Sequence, residues 1–204
     1  MELTDLELVE RVQSGDVEAF AVLVTRHQHR VYSHVSRMVG QGEEAADLTQ
    51  EVFLKVYTSL NRFRGQASFQ TWLYRITSNL CVDRHRRQRR GPQVVRSTDA
   101  PVETELGELE LELPDWDENP ELMSLSGELR VKVREAVRQL SDKLRAVIVM
   151  HDLEGLSYEE IAAALNIPLG TVKSRLFNAR AALKVLLEPY IQGGPAALRE
   201  DERT

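Results

Sequence analysis

The residues of this chain best suited to chemistry are arginines set among aromatic rings. From Arg62 to Arg75 the sequence reads RFRGQASFQTWLYR, arginines interleaved with aromatic rings. Rings stack on unpaired bases while guanidinium groups reach phosphates, so this pattern suits a single strand. Phe69 shares a helical face with Leu73, Ile76 and Leu80 and reads as core, whereas Trp72 and Tyr74 fit either core or platform. The run RHRRQRR from Arg84 to Arg90 extends the positive surface. A second basic stretch, Asn166 to Lys184, carries Lys173, Arg175, Arg180 and Lys184 and no acid. Other chemistries lack their parts. His27, His29 and His34 are neighbours in sequence, yet no further ligand completes a metal set, and Cys81 has no activating partner. No glycine-rich phosphate loop is present. No enzyme activity, metal or cofactor is expected.

The net charge of −6 and pI near 5.5 at first argue against a nucleic-acid binder. Mapping the charge removes the objection, because Asp99 to Glu128 carries acids and no Lys or Arg, leaving the basic segments locally intact.

The elements that must position these residues read as helices. Thr4 and Glu7 have capping-box spacing, and Gly15-Asp16 ends that helix and starts the next. Phe20, Leu23, Val24, His27, Val31, Val35 and Met38 continue the period to Gly40. A third helix, Glu43 to Leu60, turns Ala45, Leu48, Val52 and Val56 inward. Asp47, Gln50, Leu54 and Tyr57 point outward, with Glu51 and Phe53 at the margins, a mixed face suited to docking on another protein. A loop over Arg62 to Ser68 precedes a fourth helix that runs into the arginines.

Helical pattern returns at Leu125. Leu129, Val133, Ala136, Val137 and Leu140 form one stripe, and Ser141 is placed to cap the next helix. Ser157 and Glu160 form a second capping box, Asn166 to Gly170 makes a turn, and a further helix follows: a helix-turn-helix. On its second helix Val172, Leu176, Ala179 and Leu183 form the buried seam. Ser174, Asn178 and Ala181 lie opposite, facing base edges, with Lys173, Arg180 and Lys184 on one flank and Arg175 on the other.

The fold class is therefore all-α: two small helical domains, residues 1–90 and 125–191, joined by an acidic flexible linker over 91–124 and followed by a disordered tail, 192–204. In the linker Pro92, Pro101, Pro114 and Pro120 break helices and carboxylates repel one another. No apolar run reaches the roughly 20 residues that span a bilayer, so no membrane insertion is expected. The single cysteine fits a reducing compartment, with the cytoplasm as the default.

Three stretches, EEAADLTQEVFLKVY, FRGQASFQTWLYRITSNLCVDRHRR and QLSDKLRAVIVMHDLEGLSYEEIAAALNIPLGTVKSRLFNARAAL, together resemble the extracytoplasmic-function (ECF) sigma factors in order and spacing, over about three-quarters of the chain. The resemblance implies a transcription initiation factor that brings RNA polymerase to selected promoters. It implies that Asp47, Gln50, Glu51, Phe53 and Leu54 dock on the clamp helices of the polymerase's largest subunit, and it implies the flap of the second-largest as a further partner. Arg64, Ser68, Phe69, Gln70, Thr71 and Trp72 correspond to the part that melts the promoter and captures a flipped base of the minus-ten element. Arg75, Asn79, Asp83, Arg84 and Arg87 sit where that element and its flanking backbone are contacted. Thr171, Lys173, Ser174, Arg175, Asn178 and Arg180 match the helix that reads the minus-thirty-five element. An anti-sigma factor is a further implied partner. The family often has proline after the pair that stands here as Gln139-Leu140; this chain has Ser141. The rival reading, a stand-alone helix-turn-helix regulator, explains the second domain but leaves the mixed face of Asp47 to Tyr57 without an occupant.

Overall fold

The computed structural model describes residues 3–90 and 127–192; the acidic linker, 91–124, and the tail beyond residue 192 lie outside the described residues. Eight α-helices fall within them. The first four are α1 (Asp5–Gln13), α2 (Val17–Val39), α3 (Glu43–Ser59) and α4 (Phe69–Arg90), with a 3-10 turn at Leu60–Arg62 after α3. The others are α5 (Gly127–Gln139), α6 (Asp142–Ile148), α7 (Tyr158–Leu165) and α8 (Leu169–Gln192). No strand occurs among the described residues, and no helix there is long and apolar enough to cross a membrane.

Local chemistry sets the helix ends. Thr4 Oγ1 accepts from the Glu7 amide at 3.3 Å while the Glu7 carboxylate accepts from the Thr4 amide at 2.7 Å. Asp16 caps α2 through the Ala19 amide at 3.2 Å. Ser157 and Glu160 repeat the reciprocal box at α7. Ser141 stands at the N-cap of α6, but its side chain makes no capping bond; its carbonyl receives the Leu144 and Arg145 amides instead. After α6 the backbone widens into a π-helical turn, Val149–Leu153, which sequence periodicity does not reveal.

In the first bundle Phe20, Leu23, Val31 and Val35 of α2 meet Ala45, Leu48, Val52 and Val56 of α3 over Leu73 and Tyr74 of α4. In the second, Val147, Ile148 and Met150 pack on Ile161 and on the Val172, Leu176 and Ala179 seam of α8. The buried side chains of both bundles form one continuous cluster. Burial of this kind, at about 25 cal/mol per Å² of apolar surface, supplies the main driving force.

Where the bundles meet, the junction is polar. The Glu154 carboxylate, 7% exposed, is ion-paired with Arg37 of α2, 9% exposed, and accepts from the Tyr74 hydroxyl of α4 at 2.6 Å. Burial raises the Glu154 carboxyl, while Arg37 and the Tyr74 hydroxyl pull it back. Arg145 of α6, 6% exposed, donates to the carbonyls of Val137 (3.2 Å), Leu140 (2.9 Å) and Arg138, and across the junction to Met38 near the end of α2. A helix C-terminus leaves carbonyls unsatisfied and carries partial negative charge, so one guanidinium here serves two helix ends.

Removing one partner of a buried pair strands the other charge, at a cost of about 3–5 kcal/mol. Glu154→Ala should therefore split the melt seen by calorimetry, from one cooperative transition to two. A single unshifted transition would show that the junction contributes nothing to stability.

His34 is fully buried between α2 and α4, with Nε2 2.9 Å from Ser78 Oγ, and burial holds its imidazole down to about 3. Keeping it neutral contributes stability that is whole above the unfolded value of about 6.5 and declines as pH falls toward the folded one, by about 1.4 kcal/mol per pH unit. His27, also lowered by burial, acts in the same direction; Glu154, raised, acts oppositely. Comparing wild type with His34→Gln isolates the effect. Between pH 6.5 and 5 the urea midpoint of the wild type should fall more steeply than that of the variant, and parallel curves would exclude the assignment.

Candidate nucleic-acid interface

The loop between α3 and α4 is built around three rings. Phe63 lies 5.3 Å from Trp72 and 6.0 Å from Phe69, and Phe69 lies 5.9 Å from Trp72, centroid to centroid. Mutual edge and tilted contacts fix these rings at the mouth of the loop. Phe63 and Phe69 are buried, and Trp72 is half-buried. Arg64, Gly65, Gln66 and Ser68 are exposed, and Gly65 takes φ +67°, a left-handed conformation that glycine adopts without steric cost. The Thr71 amide donates to Ser68 Oγ at 3.1 Å, and the two hydroxyls are 2.8 Å apart. This closes the first turn of α4.

Two residues placed in the melting set from the sequence prove to be framework. Phe69 is 5% exposed and Thr71 4% exposed. Phe69 packs on His27 as well as on the other rings, and Thr71 is spent on the cap, so both shape the loop from beneath. Gln70 is half-buried.

Beyond the rings, Arg75, Asn79, Asp83 and Arg87 recur every fourth residue along α4, which aligns them in one stripe. Arg75, Asn79 and Arg87 are exposed and Asp83 is half-buried, 3.0 Å from Arg86. Arg84 leaves this stripe. It turns toward α3 and pairs with Glu51 at 2.8 Å, joining a residue expected at a protein contact to one expected at DNA. The opposite face of α4 carries Tyr74, Ser78, Cys81 and His85, turned inward or toward the second bundle. Burial pushes the Cys81 thiol up to about 12, so it is held unreactive.

On α3, Asp47, Gln50 and Leu54 are exposed on one face, Leu54 by 43%. Phe53 departs from expectation. It is 2% exposed, a core residue that supports this face without reaching its surface. Tyr57 also turns partly inward, its ring 4.9 Å from Phe20.

In the second bundle, α7 and α8 flank a turn whose Asn166 adopts the left-handed conformation, φ +51°. Asparagine tolerates it, and the turn sends α8 across α7. Lys173, Ser174, Asn178 and Arg180 are exposed, and Thr171 and Arg175 are half-buried. Ser174 Oγ donates to the Thr171 carbonyl at 3.1 Å. Arg180 is held by Asp152 through two bonds, 3.2 Å from Nε and 2.6 Å from Nη2, which raise its already high pKa. One residue missing from the sequence-derived set is Phe177, 74% exposed, which shares a groove with Tyr158, Lys173, Arg180 and Lys184. Its position beside Ser174 and Asn178 follows from 100° per residue, but a search for charged and small groups passes over it.

Residues 23–91 match the family model described as Sigma-70 region 2, and residues 130–183 match Sigma-70, region 4. The chain is 46% identical over 191 residues to the ECF RNA polymerase sigma-E factor of Escherichia coli (strain K12), covering 94% of this chain and 98% of that protein. It is 39% identical over 188 residues to the RNA polymerase sigma-H factor of Pseudomonas aeruginosa, covering 92% and 96%. Among solved structures, CnrH in complex with the cytosolic domain of CnrY aligns with TM-score 0.60 at 26% identity, over 89% of this chain and 95% of that one. The sigma factor RpoE in complex with the anti-sigma factor NepR, from Bartonella quintana, shares the fold at TM-score 0.58 and 22% identity, over 83% and 96%.

A cation that touches only phosphate contributes about one unit to the salt dependence of DNA binding and is indifferent to sequence. Arg180, pinned at the flank, should behave so. Arg180→Ala should weaken all duplexes alike and lower the slope by about one. Arg175→Ala should instead relax preference at one base pair. Binding and salt slope unchanged in both variants would exclude α8 as the groove-facing helix.

Proposed function

Because this chain belongs to the ECF group of sigma factors, transcription initiation factors that direct RNA polymerase to promoters, we propose that its two bundles divide that work. The first, residues 1–90, docks on the clamp helices of the polymerase's largest subunit through Asp47, Gln50 and Leu54. It also opens and reads the minus-ten element with the loop Arg64–Ser68, Trp72 and the stripe Arg75, Asn79, Asp83 and Arg87. The second, residues 125–191, reads the minus-thirty-five element with Lys173, Ser174, Arg175, Asn178 and Arg180 and meets the flap of the second-largest subunit. The linker 91–124 connects them. Neither bundle carries out a reaction; both act by binding, in the compartment that holds the polymerase.

The observation that carries this reading is the continuity of the three-ring cluster with the α4 stripe. Trp72, the half-buried ring at the loop mouth, offers stacking to an unpaired base from its seat on buried Phe63 and Phe69, and a row of cationic and amide groups leading away from it follows the strand. The α3 face lies on the same bundle but on another helix, so docking and strand reading need not compete. Likeness to CnrH, solved with the cytosolic domain of CnrY, supports a protein partner for this chain as well, and the resemblance to ECF sigma factors implies one of the anti-sigma type.

Asp47→Arg combined with Gln50→Ala should weaken binding to core polymerase by about tenfold, the effect of roughly 1.4 kcal/mol. Circular dichroism should not change, because both side chains are exposed. Equal affinity of the double variant and the wild type, measured by fluorescence anisotropy, would overturn the docking face. Failure of the wild type to bind core polymerase at all would favour a stand-alone regulator.

A further inference from the structure

We propose that α1 is a brace for the single-strand loop, and that Gln13 is the positioning residue through which it acts. The proposal deepens the reading of Arg64–Ser68 as the part that takes an unpaired base, and rests on it.

Gln13 is the last residue of α1. Its side-chain amide donates to the Leu60 carbonyl at 2.9 Å and to the Phe63 carbonyl at 3.2 Å. A primary amide has two N–H donors. The carbonyls it meets belong to the 3-10 turn after α3 and to Phe63, the residue that starts the loop and whose ring anchors Trp72 and Phe69. The Leu60 carbonyl also accepts from the Phe63 amide at 3.0 Å, so the Gln13 side chain joins the same turn that the backbone bond closes. Gln13 therefore fixes the loop's point of departure from a helix 47 residues away in sequence.

A second residue on the same face of α1 comes near the loop. Leu6 precedes Gln13 by seven residues, two helical turns. A Cβ on Gly65 would stand 3.9 Å from Leu6 Cδ1, so α1 runs along the loop to its glycine. The far end is closed by Ser68 and Thr71. The loop is thus held at entry by α1 and at exit by its own cap, with Leu6 of α1 near its glycine.

The helix giving support is itself fixed. Leu8 and Val9 are 1% exposed, and Asp5 accepts from Arg26 at 2.6 Å and lies 2.8 Å from His27 Nε2, both on α2. α1 also lies outside residues 23–91, the extent of the region 2 match. A loop that must take an unstacked base gains affinity when its own ordering precedes binding. A loop released at Phe63 would have to order at the moment of capture.

The test uses full-length protein assembled with core polymerase. Gln13→Leu removes both donors, Gln13→Glu keeps the size but can only accept, and Gln13→Arg restores donors. Leu and Glu variants should each bind a single-stranded minus-ten oligonucleotide about fivefold more weakly, the effect of one net hydrogen bond. They should also slow opening of a duplex promoter, followed by 2-aminopurine fluorescence. Gln13→Arg should recover both, and affinity for core polymerase should be unchanged throughout. If Gln13→Glu behaves as wild type, size rather than donation matters and the brace is overturned. Equal loss of core binding, or of helical content, would make Gln13 an ordinary fold residue and overturn it too. Arg64→Ala separates the two levels. Loss with Arg64→Ala but none with Gln13→Leu leaves the loop reading standing and removes the brace, whereas no loss with Arg64→Ala removes the loop reading and with it the brace.

Discussion

One buried carboxylate organises this molecule. Glu154 sits where two independent helical bundles meet, and its charge is tolerable there only because Arg37 and the Tyr74 hydroxyl converge on it. An apolar junction would allow sliding. A carboxylate that must meet one guanidinium and one hydroxyl, while Arg145 must meet the end of α2, admits a single relative placement. The widened turn Val149–Leu153 precedes Glu154 directly and feeds it into the junction, and the same turn presents Asp152 to Arg180 on α8. A few residues thus tie the junction to the nucleic-acid face.

Acids partner the basic surface in both bundles. Glu51 holds Arg84, Asp83 lies beside Arg86, and Asp152 holds Arg180. These pairs are largely exposed, and each contributes at most about 1 kcal/mol. Their effect is on geometry. An arginine oriented by a carboxylate presents its remaining donors in a fixed direction, whereas an unpaired one samples many rotamers. Such orientation narrows what each side chain can meet without closing it to phosphate.

The helices were legible in the sequence because their causes are local. Thr4 with Glu7, Asp16, and Ser157 with Glu160 announce helix starts within four residues, and the Val172, Leu176 and Ala179 seam is visible from periodicity. The exposed stripe of α4 and the face of Asp47, Gln50 and Leu54 follow from the same arithmetic. What stayed hidden depends on distant partners. Phe53 sits at the edge of the α3 seam, where one helix alone does not decide between core and surface; packing of the other helices decides it. Arg37, Arg145, Glu154 and Gln13 are polar residues of ordinary helical surroundings whose partners lie elsewhere in the chain, and no spacing rule connects them. Ser141 shows the converse case, a good capping residue at an N-cap that makes no side-chain cap.

The junction also has a consequence for reach. Elements centred about 25 base pairs apart are separated by roughly 85 Å along B-form DNA, at 3.4 Å per step. A packed body of about 150 residues has a radius of gyration of about 15 Å, too small to touch both. The stretch between Arg90 and Gly127 is long enough, at about 3.3 Å per residue, to cover on the order of 100 Å. Occupying both elements at once therefore demands that the bundles part, and parting exposes Arg37, Glu154 and Tyr74 to water together. Because both charges regain hydration as the bundles part, the ion pair fixes how the bundles sit together more than it resists their separation.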